Sequence, residues 1–431
     1  MSLTETVYRA KAASLELGTA STAGKNTALL RMADALRRTA APIEAANHAD
    51  LEAAAREGLA APLVKRLGFD RTKLEEACEG LVALAALPDP VGRTLRAVEL
   101  DSGLELYQVT CPLGVVGVIF ESRPDALVQI AALCLKSGNA ALLKGGREAA
   151  ATNRVLADTI IDATQKAGMP PGWMALLESR QDVADILQCD REIDLIIPRG
   201  SNAFVRHIMD NTRIPVMGHA DGICHVYIDR AADVSMAVQI AVDSKVQYVA
   251  VCNAAETFLV HQEAANAVLP ALAEALAHHG VEIRGCPQTA ALIAAVPATE
   301  ADWGTEYLDR IVSIRVVPGL EAAVDHINRY GSGHTEVIVT QDEARARRFM
   351  DRVDAADVFV NCSSRFADGF RFGLGAEVGI STQKLHARGP VGLEGLVTYK
   401  WHLLGAGHVV ADYCGPDARS FTHRRLDKSY E

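Results

Sequence analysis

The apolar positions of this chain change their period near residue 113. Before that point alanine and leucine recur every three or four positions, from Glu5 to about Ala46, again from Asp50 and again from Arg71. That spacing lines one face of a helix. Leu87-Pro-Asp-Pro-Val-Gly92 closes the helical stretch with a turn. Arg93 to Thr110 contains the alternating run Leu104-Glu-Leu-Tyr-Gln-Val109, which predicts a strand with one polar face. From Leu113 to Phe120 the run is almost wholly apolar, as expected of a strand buried on both faces. Helix and strand then alternate: helix 125–136, strand 140–144, helix 148–167, strand 173–177, helix 183–187, strand 193–197 and helix 202–210. Such alternation predicts an α/β fold built on a parallel sheet.

A second α/β unit begins after Ile228, with helix 232–247, a turn at Cys252, strand 257–261 and helix 263–279. Strands near 312–316 and 336–340, a helix near 342–352 and Val358-Phe-Val360 follow. Residues 361–400, rich in Gly, Ser, Arg and Lys, read as a long loop region carrying function, and Trp401 to Val410 as a further edge strand.

Length and composition narrow the class. A chain of 431 residues is too long for one small core, and about two or three domains is the natural expectation. It is 49% hydrophobic and 23% charged, the balance of a soluble globular protein. A net charge of −11 argues against general nucleic-acid binding, which needs a basic footprint. Positive charge for an anionic substrate must then be gathered locally. The nine cysteines are irregularly spaced, odd in number and without a Cys-x-x-Cys pair, which suits reduced thiols in a cytoplasmic protein. The N-terminus lacks the basic-then-apolar pattern of a signal peptide, and no run approaches the ~20 apolar residues of a membrane span.

The chemistry centres on Cys252, within Lys245-Val-Gln-Tyr-Val-Ala-Val-Cys-Asn-Ala-Ala-Glu256. An apolar approach followed by Asn253 and small residues sets a lone thiol at a turn, where a substrate carbonyl can reach it. By itself such a cysteine reads first as a packed small hydrophobe; its companions change that reading. Arg199 and Gly200 follow a strand, and Ser201 opens a helix, so backbone N–H groups there suit a phosphate or equally an ordinary turn between strand and helix. This is not a G-x-G-x-x-G fingerprint. Lys144-Gly-Gly-Arg147 sets two cations around two glycines, suited to the 2′-phosphate of NADPH or equally to a solvated basic turn. Gly373-Leu-Gly-Ala-Glu-Val-Gly379 has the wrong spacing for a nucleotide loop and reads as tight turns. His219, Cys224 and His225 suggest metal ligands, but adjacent strand residues point to opposite faces, so no metal site is expected. Asn361-Cys-Ser-Ser-Arg-Phe366 and Gln383-Lys-Leu-His-Ala-Arg-Gly389 supply Ser363, Ser364, Arg365 and Lys384, groups able to hold the carboxylate, ammonium or phosphate of a small substrate.

Taken together, these segments resemble the glutamate-5-semialdehyde dehydrogenases, or gamma-glutamyl phosphate reductases, a branch of the aldehyde dehydrogenase superfamily. The matching stretches include Gly117-Val-Ile-Phe-Glu-Ser-Arg-Pro124, Ala132-Leu-Cys-Leu-Lys-Ser-Gly-Asn139, Ile193-Asp-Leu-Ile-Ile-Pro-Arg-Gly200 and Gly218-His-Ala-Asp-Gly-Ile-Cys-His225. Cys252-Asn-Ala, Trp303-Gly-Thr-Glu-Tyr-Leu308, Tyr330-Gly-Ser-Gly-His-Thr335 and Gly379-Ile-Ser-Thr-Gln-Lys-Leu-His-Ala-Arg-Gly-Pro390 continue the match in order.

The resemblance implies NADPH-dependent reduction of L-glutamyl 5-phosphate to glutamate 5-semialdehyde through a thioester on Cys252, a step of proline synthesis. It assigns Glu306 to the nicotinamide ribose and Lys144 to the cofactor. Arg147 stands where NAD-preferring relatives often carry an acid, which favours NADP. Asn253 and nearby backbone N–H groups are read as oxyanion donors. Arg123 lies near the superfamily's oxyanion asparagine and is expected to face the acyl phosphate; His219 is placed with the substrate-binding groups. The superfamily glutamate that activates water has no counterpart at Gly218–His219, as a phosphorylating enzyme requires. Cys362, Ser201 and Arg371 depart from the branch's usual alanine, glycine and acid.

The implied architecture is aldehyde-dehydrogenase-like α/β. A Rossmann-type cofactor domain spans 1–227 and a catalytic domain 228–395, while a small β oligomerisation arm combines 93–112 with the tail 396–431. A homo-oligomer is expected, together with a transient contact with glutamate 5-kinase, the source of the labile acyl phosphate. The rival reading is a non-phosphorylating dehydrogenase of another acidic semialdehyde.

Overall fold

The computed structural model describes residues 2–430 apart from Ala220 and His386. Five helices open the chain: α1 (Leu3–Leu17), α2 (Thr22–Arg38), α3 (Ala40–Arg56), α4 (Ala61–Leu67) and α5 (Arg71–Ala86). The periodic stretch from Glu5 to Ala46 is therefore three helices, because side-chain caps outrank continuous periodicity. Gly18 ends α1, and Ser21 caps α2 by accepting the Gly24 N–H at 3.1 Å. Asp50, expected to start a helix, lies within α3, where its carboxylate accepts the Thr152 N–H at 2.8 Å.

A hairpin of β1 (Thr94–Asp101) and β2 (Leu104–Pro112) leads into the first parallel sheet. That unit runs β3 (Val115–Phe120), α6 (Pro124–Lys136), β4 (Ala140–Lys144), α7 (Ala150–Lys166), β5 (Met174–Leu176), α8 (Arg180–Ile186), β6 (Leu195–Arg199) and α9 (Asn202–Asp210). Its strand order is β5-β4-β3-β6, and all six residues of β3 are buried. The carboxyl ends of β4, β3 and β6 thus lie side by side, presenting Lys144, Ser122-Arg123 and Arg199-Gly200 at one crevice.

The second unit comprises β7 (Cys224–Ile228), α10 (Val234–Val246), β8 (Ala255–His261), α11 (Ala265–His278), β9 (Glu282–Gly285), α12 (Pro287–Ala290) and β10 (Val296–Pro297). It continues with β11 (Ile311–Val317), α13 (Leu320–Tyr330), β12 (Thr335–Val339), α14 (Glu343–Arg352) and β13 (Asp357–Val360). These strands form one parallel sheet in the order β10-β9-β11-β8-β7-β12-β13. The reading that ends the first unit at residue 227 cuts through β7, which is hydrogen-bonded into the middle of this sheet between β8 and β12. Five buried residues make β7 a core strand, but only its distant partners decide which sheet takes it.

Within 361–400, β14 (Gly379–Ser381) and β15 (Gly389–Val391) pair antiparallel, so this stretch is less irregular than its composition suggests. The tail returns to the hairpin. β16 (Val397–Leu404) pairs with β2, and β17 (Arg424–Arg425) with β1, giving the sheet β16-β2-β1-β17. The edge strand starts at Val397, four residues before the predicted start at Trp401. It leaves Tyr399, Trp401, Leu403 and Leu404 exposed. Among the described residues no helix is long and apolar enough to cross a membrane.

One buried ion pair ties β7 to α14. Asp229, fully buried, accepts from the Arg345 guanidinium at 2.5 and 2.7 Å and from Thr340 Oγ1 at 2.9 Å. Burial alone would push this carboxyl up, but the hydrogen bonds from Arg345, Thr340 and Tyr227 prevail and hold it down at about 2. A depressed carboxyl contributes stability above its ordinary 3.8 and loses that contribution as the pH falls through about 2. Arg345→Ala leaves the carboxylate buried and unpaired, and is expected to cost about 3–5 kcal/mol at neutral pH. Urea titrations of both proteins at neutral and acidic pH check this: the gap should narrow toward pH 2, and a constant gap would refute it.

Candidate active site

Cys252 lies in the loop that joins α10 to the start of β8, half-buried, while the next residue, Asn253, is buried. Three contacts set the loop. A Cβ on Gly222 would sit 2.3 Å from the Cys252 carbonyl oxygen and 2.4 Å from its Cα, so only glycine admits this close approach. The Cys224 thiol, at the start of β7, donates to the same carbonyl at 3.1 Å. The Asn253 amide donates to the Ala367 carbonyl at 2.7 Å, and the Ser364 hydroxyl donates to the Asn253 carbonyl at 2.6 Å. Ser244, on α10, continues the stitching: its hydroxyl accepts the Ser364 N–H at 3.1 Å and lies 3.3 Å from Ser363 Oγ. Below the loop, Lys245 and Glu256 form a wholly buried pair at 2.5 Å; burial pushes the Glu256 carboxyl up to about 7 against the pull of Lys245.

The two neighbouring thiols are chemically unequal. Burial, reinforced by Glu336, raises Cys224 well above the ordinary thiol range and keeps it a neutral donor. Cys252 is partly open and lies near two cations. Arg199 and Arg365 both feel its sulfur electrostatically, and Arg199 also feels Arg123. Among the described residues none of Arg123, Arg199 and Arg365 belongs to an ion pair, in a protein with 23 other such contacts. Burial lowers Arg199 and Arg365, each further opposed by a neighbouring arginine. Glu377 and Asp125 act on Arg199 in the opposite sense, and Arg365 Nε donates to the Gln247 side-chain oxygen at 2.9 Å; guanidinium groups outside any ion pair suit an anion. His219 completes the ring. Its Nδ1 lies 3.0 Å from the Ile380 carbonyl, and burial pulls it below the ordinary imidazole range.

The cofactor side meets this ring at Glu306. One carboxylate oxygen accepts the Gly222 N–H at 3.0 Å and the other the Asn202 amide at 2.5 Å, at the first residue of α9. Glu306 therefore joins the α9 N-terminus, with Gly200 and Ser201, to the backbone that supports Cys252. The Ser201 hydroxyl is not spent on capping its own helix. A carboxylate does stand there: Glu121 accepts the Ser201 backbone N–H, and burial raises it. Lys144 is buried at the end of β4, donating to the Gly145 carbonyl at 2.5 Å. Arg147 lies further out, exposed and 2.9 Å from Glu57.

Several sequence assignments move. Ser363 and Ser364 hold the Cys252 loop to the 363–367 turn, with Ser363 capping that turn through the Arg365 N–H at 3.2 Å. Arg199, read as a cofactor group, is half-buried and close enough to Arg123 and Cys252 to feel both electrostatically. Lys384 pairs with Asp354 at 2.6 Å on an exposed surface and is not among the groups around Cys252. Of the residues considered for a metal, Cys224 is the donor to Cys252, and His225 pairs with Glu336 at 2.9 Å. Gly222, Ser244, Asn202 and His334 had no assigned role. Gly222 and His334 lie in stretches that carry the family resemblance, but only tertiary distances reveal what they touch.

Fold and site together define a class. The model of the aldehyde dehydrogenase family matches residues 2–290, more than half of the chain, and the protein belongs to that family. Within it the chain belongs with the gamma-glutamyl phosphate reductases. The reductase of Pelotomaculum thermopropionicum is 60% identical over 430 residues, covering 100% of this chain and 99% of the relative. The solved gamma-glutamyl phosphate reductase of Thermotoga maritima is 40% identical, with a TM-score of 0.93 over 94% of this chain and 99% of that one. At 16% identity and a TM-score of 0.66, a glyceraldehyde-3-phosphate dehydrogenase of Methanocaldococcus jannaschii, solved with NADP, shares the fold over 94% of each chain. The expected fold and family are thus borne out, and the family uses NAD(P).

Gly222→Ala would displace the Cys252 backbone. It is expected to cost about 1–3 kcal/mol of stability and to cut turnover about a hundredfold by misplacing the Cys252 thiol. Wild-type turnover in a folded Gly222→Ala protein would show that this contact does not place Cys252.

Proposed function

We propose that the protein reduces L-glutamyl 5-phosphate to L-glutamate 5-semialdehyde with NADPH, releasing phosphate. The observation that carries the proposal is the half-buried Cys252 thiol beside Arg199 and Arg365, neither of which belongs to an ion pair among the described residues, next to a crevice bounded by Glu306 and the α9 N-terminus. Its relatives' names point to the same substrate.

Arg123, Arg199 and Arg365 bind the substrate's anionic groups and turn the acyl carbon toward Cys252. The thiolate attacks, the C–O bond to phosphate breaks, and a thioester forms on Cys252. Backbone N–H groups at the loop receive the developing oxyanion, while the Asn253 amide, engaged by Ala367, keeps the loop in place. NADPH, when bound, supplies the hydride that converts the thioester to a thiohemiacetal. Its collapse releases the aldehyde and restores the thiolate.

For the cofactor, the residues fit: Glu306 is anchored for a ribose, Lys144 and the glycines after β4 line the crevice, and the Ser201 hydroxyl is unspent. Glu121 must release the Ser201 N–H for a phosphate to reach it. Arg147 would exchange Glu57 for the 2′-phosphate of NADP. Where a water-activating carboxylate would favour hydrolysis of the thioester, His219 faces the thiol, and phosphate rather than water is the partner in the reverse reaction. The arm's exposed edge strand β16 would pair with another copy of the chain.

The reverse reaction tests the proposal: NADP reduction with glutamate 5-semialdehyde is expected to require inorganic phosphate and to fall about a thousandfold or more in Cys252→Ala. A rate indifferent to phosphate would sink the reading. In the same assay Arg147→Glu should lower the preference for NADP over NAD about tenfold; an unchanged ratio would remove Arg147 from the cofactor site. Trp401→Glu, on the edge strand, is expected to reduce the particle mass measured by light scattering, and an unchanged mass would show that the arm does not carry assembly.

A further inference from the structure

Beside the nucleophile lies a donor set that the reduction does not account for. The Cys252 sulfur and one ring nitrogen of each of His219 and His334 all lie within 4.8 Å of one another. The three come from separate segments: His219 from the segment between α9 and β7, Cys252 from the loop before β8 and His334 from the residue preceding β12. His334 is fully buried, yet its Nε2 has no hydrogen-bond partner, while Nδ1 lies 2.7 Å from Thr335 Oγ1. His219 is likewise held through Nδ1, by the Ile380 carbonyl at 3.0 Å, which leaves Nε2 as its free ring nitrogen. The two rings meet edge to face with centroids 4.8 Å apart. An unpartnered buried nitrogen is costly unless something binds it, and here it shares its space with a thiol and a second imidazole.

We propose that Cys252, His219 and His334 form an inhibitory site for a soft divalent cation, with zinc the ion that fits. Two imidazoles and a thiolate are a zinc donor set, and zinc at about 2.3 Å from sulfur and about 2.0 Å from nitrogen needs no redox partner. Tetrahedral coordination brings such donors to about 3.3–3.6 Å from one another, so the side chains close inward by roughly 1 Å. The fourth position stays open to water. On binding, the Cys252 S–H bond breaks, a Zn–S bond forms, and one proton leaves to solvent. The sulfur lone pair is then committed to the metal and cannot attack an acyl carbon.

Other charges face the site. Arg199 and Arg365 act on the sulfur and disfavour a cation, whereas Glu306 and Asp221 act on His219 and favour one. Affinity therefore rests on the three ligands, and an anionic substrate, drawn in by the arginines, competes with the metal by occupying the same thiol.

Inhibition rests on Cys252 being the nucleophile of the proposed reduction, but metal binding does not. Cobalt(II), a spectroscopic stand-in for zinc, is titrated into the reduced full-length protein. The expected result is a sulfur-to-cobalt charge-transfer band that zinc abolishes, that is missing in Cys252→Ser, and that weakens at least about tenfold in His334→Gln. Zinc should also inhibit the wild-type enzyme reversibly by chelator, with His334→Gln less sensitive. Should His334→Gln not fold, alkylation of the wild type decides: zinc must protect the Cys252 peptide from iodoacetamide. Absence of a band at saturating cobalt, a band undiminished in Cys252→Ser, or protection confined to other cysteines overturns the proposal. A normal band in an enzyme inactive toward the semialdehyde leaves the metal site standing and rejects the reductase reading.

Discussion

The arrangement depends on one missing methyl group. Gly222 lies so close to the Cys252 backbone that a Cβ would fall 2.3–2.7 Å from three of its atoms, and the same glycine gives its N–H to Glu306 at 3.0 Å. A single peptide thus fixes Cys252 on one side and the Glu306 carboxylate on the other. Glu306 in turn holds Asn202 at the first turn of α9, which transmits the constraint to the first sheet. Precision of this kind is what the proposed hydride transfer to a thioester on Cys252 requires, because displacements near 1 Å cost orders of magnitude in rate.

The site forms where the carboxyl edge of one parallel sheet meets the amino edge of another. Lys144, Arg123 and Arg199 come from the ends of β4, β3 and β6, whereas Gly222, Cys252, Glu306 and His334 come from segments that enter β7, β8, β11 and β12. The loop of residues 363–367 closes over the junction and is sewn to Cys252 by Ser244, Asn253 and Ser364. Polar groups that a surface loop would give to water are consumed in that stitching, so the loop acts as a brace.

Electrostatically, the protein separates its cations into two populations. Many arginines and lysines of this acidic chain sit in ion pairs, including Arg147 with Glu57 and Lys384 with Asp354. Arg123, Arg199 and Arg365 belong to no ion pair among the described residues, and Arg199, half-buried beside Arg123, is partly balanced by Glu377 and Asp125. The same crowding explains how one pocket can favour a phosphorylated substrate and still leave a soft metal only the thiol and two imidazoles.

Much was legible in the chain itself. Periodicity located the strands of the first sheet, the helices around them and the turn that bears Cys252, because those signals are local and depend on which faces are buried. Ordered motifs carried the family. Tertiary structure decided the rest, for reasons of distance. Lys144-Gly-Gly-Arg147 reads as two equivalent cations, but one is buried at a strand end and the other lies exposed on Glu57. Ser363 and Ser364 read as ligand groups, yet spend their hydroxyls on Ser244, the Arg365 N–H and Asn253. β7 could not be assigned to a sheet until β8 and β12 took it from either side. Sequence determined which residues are able to do chemistry; packing between segments far apart in the chain determined which are free to do it.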